Sequence, residues 1–254
     1  MKNTFFKEKT KDNKLKKNII SFSYAIIAAL LIRSFLFEPF SIPSGSMYPN
    51  LKVGDYLFVS KYSYGFSKHS LPFSLPLIPG RIFSKEPKRG EIAVFKTPED
   101  NRTDYIKRII GLPGDELELK NNLIYINNNP IKTLKITEEK YKSFEVNKIK
   151  EILPNNYKYD VYEFKSTILG LNTNNFKKIT IPENKFFVLG DNRDNSQDSR
   201  FIGLIPRENL VGRAEIVFVS FDVEIGSFIK FWTWFPALRK DRLIVSLLPE
   251  KENE

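Results

Sequence analysis

The chain contains no cysteine and a single histidine, His69, among its 254 residues. The first absence excludes disulfides, thiolate metal sites, iron–sulfur clusters and a cysteine nucleophile together. The second excludes a multi-histidine metal centre and leaves any Ser-His-Asp triad only one ring to use. No cofactor and no metal is expected. Carboxylates are also few, 30 against 40 lysines and arginines, for a formal charge of +10. An excess of that size points first to a polyanionic partner. Its distribution argues otherwise. Seven lysines against Glu8 and Asp12 give residues 1–17 a net charge of +5, and Arg33 adds one, so residues 34–254 hold only +4. The basic excess is mostly a short tail, not a domain face, and nucleic acid is not expected as a partner. With 41% apolar and 28% charged residues the chain is too apolar for disorder, and it is long enough for one large domain or two small ones.

The tail runs into Asn18–Ile32, which carries no charge; Arg33 interrupts, and Ser34–Phe37 continue the apolar run to Glu38. As a helix, twenty residues span about 30 Å, the thickness of a hydrocarbon core. Arg33 lies near enough to the end to snorkel. A cleaved secretory signal shares the order basic, apolar, small, but this run is long and is followed by bulky Phe40 and by Pro39 and Pro43, not by an Ala-x-Ala site. A buried core helix is the third reading. The sequence favours an uncleaved anchor at 18–37. The positive-inside rule then keeps residues 1–17 cytoplasmic and puts residues 38–254 outside an inner (cytoplasmic) membrane, as a single-pass protein.

Beyond Phe40 the pattern is mainly β. Residues 56–59, 91–95, 105–110, 123–126, 185–189 and 214–219 are short runs of β-branched and aromatic residues bounded by Gly, Pro, Asn and Asp. Residues 137–180 are more polar, rich in Lys, Asn and Tyr, and read as an insertion or subdomain. Residues 65–86, with three prolines, read as loop. The aromatic stretch 228–235 suits a membrane interface, and a core element explains it equally well.

Three places stand out for chemistry. Ile42–Pro49 is a serine pair in a proline-bracketed turn, where Gly45 lets backbone N–H groups converge on an anion; an ordinary polar linker would look the same. Asp104–Ile110 is a period-2 strand with Tyr105, Lys107 and Ile109 on one face and Ile106, Arg108 and Ile110 on the other. A buried lysine loses its charge readily and is then a competent base, although an edge strand also carries snorkelling lysines. Gly190–Arg200 packs three aspartates, two arginines, two asparagines and two serines directly after a strand. It reads as a buried network, a solvated loop, or a calcium loop, the last disfavoured by Arg193 at a ligand position.

In this order, after an anchor, these blocks resemble type I signal peptidase, the membrane-anchored serine protease of the Ser–Lys dyad class. The likeness covers Ser41–Pro49, Gly54–Gly65, Pro87–Lys96, Asp104–Asp115, Gly190–Arg200 and Val211–Ala214. Residues 120–180 add nothing to it. Glu91 and Ser60 depart from the family's common aspartate and asparagine, and residues 224–254 resemble it only loosely. The resemblance implies a β-sheet protease core with a second, smaller β region, assigned here to 116–184. It implies Ser46 as nucleophile, Lys107 as general base, Ser44 beside the backbone N–H of Ser46 in the oxyanion hole, and Ser196 as the hydroxyl that hydrogen-bonds the base. Asp191, Asp198, Arg108 and Arg200 become supporting charges whose pairing is open. Asp104, Tyr105 and Ile106, with Phe40, Ile42 and Pro43, flank an extended substrate. Phe40, Ile42, Leu51 and Ile106 line shallow apolar pockets, and Met47 joins Tyr105 and Phe95 as the apolar wall of the lysine. Plain core packing would explain the same apolar residues. The implied activity is removal of signal peptides after Ala-x-Ala sites from exported preproteins, beside the translocon and in contact with lipid. Rival readings are a processing protease dedicated to one pilus- or conjugation-type substrate, a catalytically dead scaffold, and a self-cleaving repressor of the related fold. The present serines and lysine argue against the second, and the anchor in place of a DNA-binding module argues against the third.

Overall fold

The computed structural model describes residues 2–165, 174–226 and 231–252. A single helix, α1 (Lys2–Phe35), runs through both the basic tail and the apolar segment. Its residues Lys16–Phe35 are long and apolar enough to cross a membrane, and almost none of that surface is covered by protein. The helix stops two residues short of the sequence expectation. Pro39 disfavours helical geometry at Glu38 before it, and the chain is already extended at Phe37.

The longer strands, in chain order, are β1 (Phe37–Ser41), β2 (Asp55–Ser60), β3 (Ile92–Lys96), β4 (Asp104–Gly111), β5 (Glu116–Lys120), β6 (Leu123–Ile126), β7 (Lys132–Tyr141), β8 (Phe144–Ile152), β9 (Tyr157–Phe164), β10 (Phe176–Thr180), β11 (Lys185–Leu189) and β12 (Leu210–Ser220). The main sheet has the order β1-β2-β12-β3-β4-β11 with Ile205–Pro206 at its far edge, every pair antiparallel. Alternation sorts its residues. Leu57, Val59, Ile92 and Val94 bury one face against Ile42, Met47 and Leu51. Ala93, Phe95, Ile109 and Val188 bury the other against Tyr64, Phe186 and Leu210. Fully burying one such large side chain contributes about 1.5–3 kcal/mol.

Two further sheets hold most of the polar stretch. One has the order β7-β8-β9 with Glu250–Lys251, and the other β10-β5-β6 with Asn129–Pro130. They meet the main sheet over a core of Ile110, Leu117, Ile124, Leu153, Val161 and Phe187. Residues 137–180, read as a polar insertion of unassigned fold, thus contain strands of both. Residues 65–86 are irregular apart from two single 3-10 turns and a two-residue ladder, Phe66–Ser67 with Arg81–Ile82. Of the aromatic stretch 228–235, residues 228–230 lie outside the described residues, while Phe231, Trp232 and Phe235 are strongly exposed.

Candidate active site

The turn that carries Ser46 is held from both ends. Ile42 N donates to Asp55 O at 2.8 Å and Gly54 N to Ile42 O at 3.0 Å, which closes the turn onto β2. Leu51 N donates to Met47 O at 2.9 Å. Asn192 then stitches the turn to the loop after β11, its N–H donating to Ser46 O at 3.1 Å and its side-chain amide to Gly45 O at 3.0 Å. This approach is why position 190 is glycine. A Cβ there would lie 2.2 Å from Ser196 Oγ and 2.6 Å from Ser46 O.

Lys107 comes from β4. That strand pairs with β3 along Asp104–Arg108, whereas its other edge pairs with β11 only from Arg108 onward. Residues 104–107 therefore keep one main-chain edge unpaired within the described sheet. Lys107 Nζ lies 2.8 Å from Ser46 Oγ and donates to Ile106 O at 2.9 Å. The side chain is 4% exposed and its amine sits over the Tyr105 ring. Burial pulls the ammonium down from 10.5 to about 8, against Asp198 and Asp191, which favour the charge. Ser44 Oγ lies 3.4 Å from Ser46 Oγ.

The supporting charges sort into pairs that the sequence left open. Arg108 makes a two-pronged bond to Asp191, at 2.8 and 2.7 Å, and its guanidinium lies over the Tyr159 ring. Burial alone would lower Arg108, but Asp191 outweighs it and holds the guanidinium above its ordinary value. Asn50 also donates to Asp191, at 2.7 Å. Arg200 grips Asp198 with two 2.8 Å bonds, and Asp198 accepts from Gly190 N at 3.0 Å. A third buried pair, Arg193 with Glu151, braces the loop from β8, with Tyr159 Oη donating to Glu151 at 2.6 Å. Asn50, Asn192, Glu151 and Tyr141 were not singled out from sequence, and Arg193 only as a cation out of place in a calcium loop. Nothing along the chain links Arg193 to Glu151, 42 residues earlier in a stretch that reads as variable.

The remaining expected residues divide. Pro43, Asp104, Tyr105 and Ile106 line a cleft of about 1050 Å³ that contains Ser46 and Lys107. Ile42, Met47 and Leu51 do not line it: they are 4%, 0% and 0% exposed and belong to the sheet core beneath, with half-buried Phe40 packed against them. Their place in the core follows from the turn's closure onto β2, which drives these side chains inward. Ser196 also departs from expectation. Its hydroxyl is buried and has no hydrogen-bond partner among the described residues, while the Lys107 amine contacts Ser46 Oγ and the Ile106 carbonyl. His69 is buried near the junction of α1 and the sheet, held neutral by that burial with its imidazole pulled down to about 4. Among the described residues no cluster of carboxylates and histidine is arranged to hold a metal ion.

A mainly β chain with a buried amine set against a serine hydroxyl has the parts of a hydrolase that works without histidine. The chain belongs to the family described as signal peptidase, peptidase S26, whose profile matches residues 15–219. It is accordingly an enzyme, a peptidase of that family. It is 40% identical over 258 residues to signal peptidase I of Rickettsia typhi (strain ATCC VR-144 / Wilmington), covering 95% of this chain and 97% of that one. Signal peptidase I of Rickettsia massiliae (strain Mtu5) is 42% identical over 246 residues, with 89% and 91% covered. A solved signal peptidase I from Enterococcus faecalis V583 is 27% identical and covers 51% of this chain and 97% of its own, with a TM-score of 0.31, an overlap too small to speak to the arrangement.

Proposed function

We propose that this peptidase removes N-terminal signal peptides from exported preproteins after small-x-small, Ala-x-Ala-type sites, with Ser46 as nucleophile and uncharged Lys107 as general base. The observation that carries the reading is the 2.8 Å contact between a buried amine and a serine hydroxyl at the floor of an open cleft. Substrate extends along the edge of Asp104–Ile106 that no strand of the sheet pairs, and adds a strand there. Ser46 Oγ attacks the scissile carbonyl as its proton passes to the Lys107 lone pair. The developing oxyanion is held by the N–H of Ser46 and the hydroxyl of Ser44. Collapse breaks the C–N bond, and the Lys107 ammonium returns its proton to the leaving amine. Water, deprotonated by the same amine, then releases the acyl group. An amine near 8 has enough neutral form at physiological pH to do this, whereas arginine stays protonated.

Side-chain selection follows from packing. Ile42, Met47 and Leu51 fill the space beneath the serine turn, so pockets at the cleft floor are shallow and take small residues. In this reading α1 crosses the cytoplasmic membrane with residues 1–17 inside, the catalytic part acts outside near the translocon, and Phe231, Trp232 and Phe235 meet lipid. The test is cleavage of a preprotein, with the new N-terminus read by mass spectrometry. Wild type cuts after the Ala-x-Ala site. Ser46→Ala and Lys107→Ala each abolish cutting while unfolding cooperatively. Full activity in either variant would remove the mechanism.

A further inference from the structure

The β7–β8 hairpin belongs to the sheet of β7, β8 and β9, outside the main sheet, yet its tip reaches the catalytic cleft. Tyr141 anchors it there. The phenol ring is 7% exposed, lies 4.9 Å from the Tyr48 ring, and its hydroxyl accepts from Asn195 at 3.4 Å. It presses so closely on Gly45 that a Cβ at that position would lie 1.9 Å from the hydroxyl. The residues on either side, Lys140 and Lys142, line the same cleft as Ser46 and Lys107. Both are exposed. The acids of the hairpin are taken by other lysines: Glu138 by Lys135 and Lys165, Glu139 by Lys148, Glu145 by Lys165. Within the cleft, Asp104 is taken by Lys96 and Asp222 by Arg239, and the third acid, exposed Glu224, lies two residues from Asp222 and away from the hairpin in sequence. Among the described residues no carboxylate forms an ion pair with Lys140 or Lys142.

The cleft is thus uneven in charge, and the unevenness has a direction. In the function proposed above, on which this inference rests, residues before the scissile bond lie along Asp104–Ile106. Gly45, Asn195 and the hairpin tip line the same cleft beside Ser46 and do not belong to that strand edge, and the residues after the bond are assigned to their side. We propose that Lys140 and Lys142 are specificity-determining residues that read the charge of the first few residues after the cleaved bond and favour preproteins acidic there. Neither lysine touches the reacting atoms. They act by attracting carboxylates of an extended chain already held on the strand edge, and this adds to transition-state binding without altering the chemistry.

The test uses the full-length enzyme in detergent and peptides identical through an Ala-x-Ala site, with Asp-Glu, Ser-Gln or Lys-Arg placed at the second and third positions after the bond. At low salt, acidic peptides are expected to be preferred over neutral ones in kcat/KM by roughly two- to five-fold per charge, the scale of exposed ion pairs. The preference should fade near 1 M salt, where the screening length is about 3 Å. Lys140→Glu with Lys142→Glu should reverse the acidic-to-basic ratio, and the Lys→Gln pair should bring it close to one. The ratio is taken within each enzyme, so a general loss of activity cancels, and the salt series needs no variant at all. A wild-type ratio near one at low salt would overturn the proposal. So would a ratio unchanged in both variant pairs, or charge sensitivity confined to positions before the bond. Failure of wild type to cut even the Ser-Gln peptide would strike the reading of Ser46 and Lys107 first, and this one with it.

Discussion

A lysine acts as a base only where burial makes its charge expensive, and the same burial works against the fold. Lys107 titrates near 8 in the folded enzyme, while in the unfolded chain it keeps the ordinary value of about 10.4. Between those values the unfolded state binds more protons, so stability rises with pH across that window and the residue costs stability at pH 7. Two outcomes follow from the one shift. In a pH–rate profile, kcat/KM should climb with unit slope up to about pH 8 and then level, as the amine loses its proton. A rate flat from pH 6 to 9 would contradict a titrating amine. In urea unfolding at pH 7, Lys107→Met should be inactive yet more stable than wild type, by about 1–3 kcal/mol, an advantage that shrinks as pH approaches 10. The neighbouring cation behaves in the opposite sense. Arg108 is buried and neutralised by Asp191, so Asp191→Ala leaves an unpaired guanidinium and should cost about 3–5 kcal/mol in the same assay. The two cations could be placed on opposite faces of one strand from the alternation of Tyr105–Ile110, and the likeness of the blocks pointed to Ser46. The partners could not be read. Asn50, Glu151 and Asn192 are common polar residues whose role comes only from where remote loops meet.

At the scale of elements, legibility tracked how the faces of a strand differ. β3 and β4 are buried enough for β-branched and aromatic residues to mark them, and β11 likewise. β7 is exposed along nearly its whole length. With both faces in water there is no selection for alternation, so Lys, Thr and Glu follow one another and the run carries no strand signal. What fixes this hairpin is its tip, and that contact makes a prediction. Gly45→Ala should lower kcat sharply, because the new methyl overlaps the Tyr141 hydroxyl and displaces the turn that carries Ser46. Tyr141→Phe removes the overlapping atom and leaves the next ring carbon at 3.1 Å, a tight but tolerable approach. The double variant should therefore recover much of the activity lost in Gly45→Ala, while Tyr141→Phe alone changes it little. Steady-state kinetics of the four enzymes measures this coupling. Strict additivity would show that the hairpin tip does not bear on the turn.

At the scale of the whole molecule, the apolar helix α1 and the protease are joined by very little. The four apolar clusters of the core contain no residue before Phe40. Among the described side chains of α1, from Lys16 to Phe35, only Ser34 is buried. The joint itself lies just after the helix: Lys61 N donates to Leu36 O at 3.1 Å, and Lys61 Nζ meets Glu38 at 2.8 Å. Deleting residues 1–35 keeps both contacts. It removes an Arg33–Glu38 pair, in which Arg33 is largely exposed, and an edge contact between Phe35 and Phe66. Exposed pairs contribute about 0–1 kcal/mol, so the truncated enzyme should unfold cooperatively in urea within about 1–2 kcal/mol of the full chain. Its kcat/KM on a short peptide in detergent should stay within about three-fold. Processing of a preprotein inserted in a membrane should fall much further, because tethering raises the local concentration of enzyme at the bilayer and truncation forfeits it. The divergence between the two assays is the measurement. Equal losses in both, or a broad non-cooperative transition, would mean that the helix supports the fold of the protease and not merely its location.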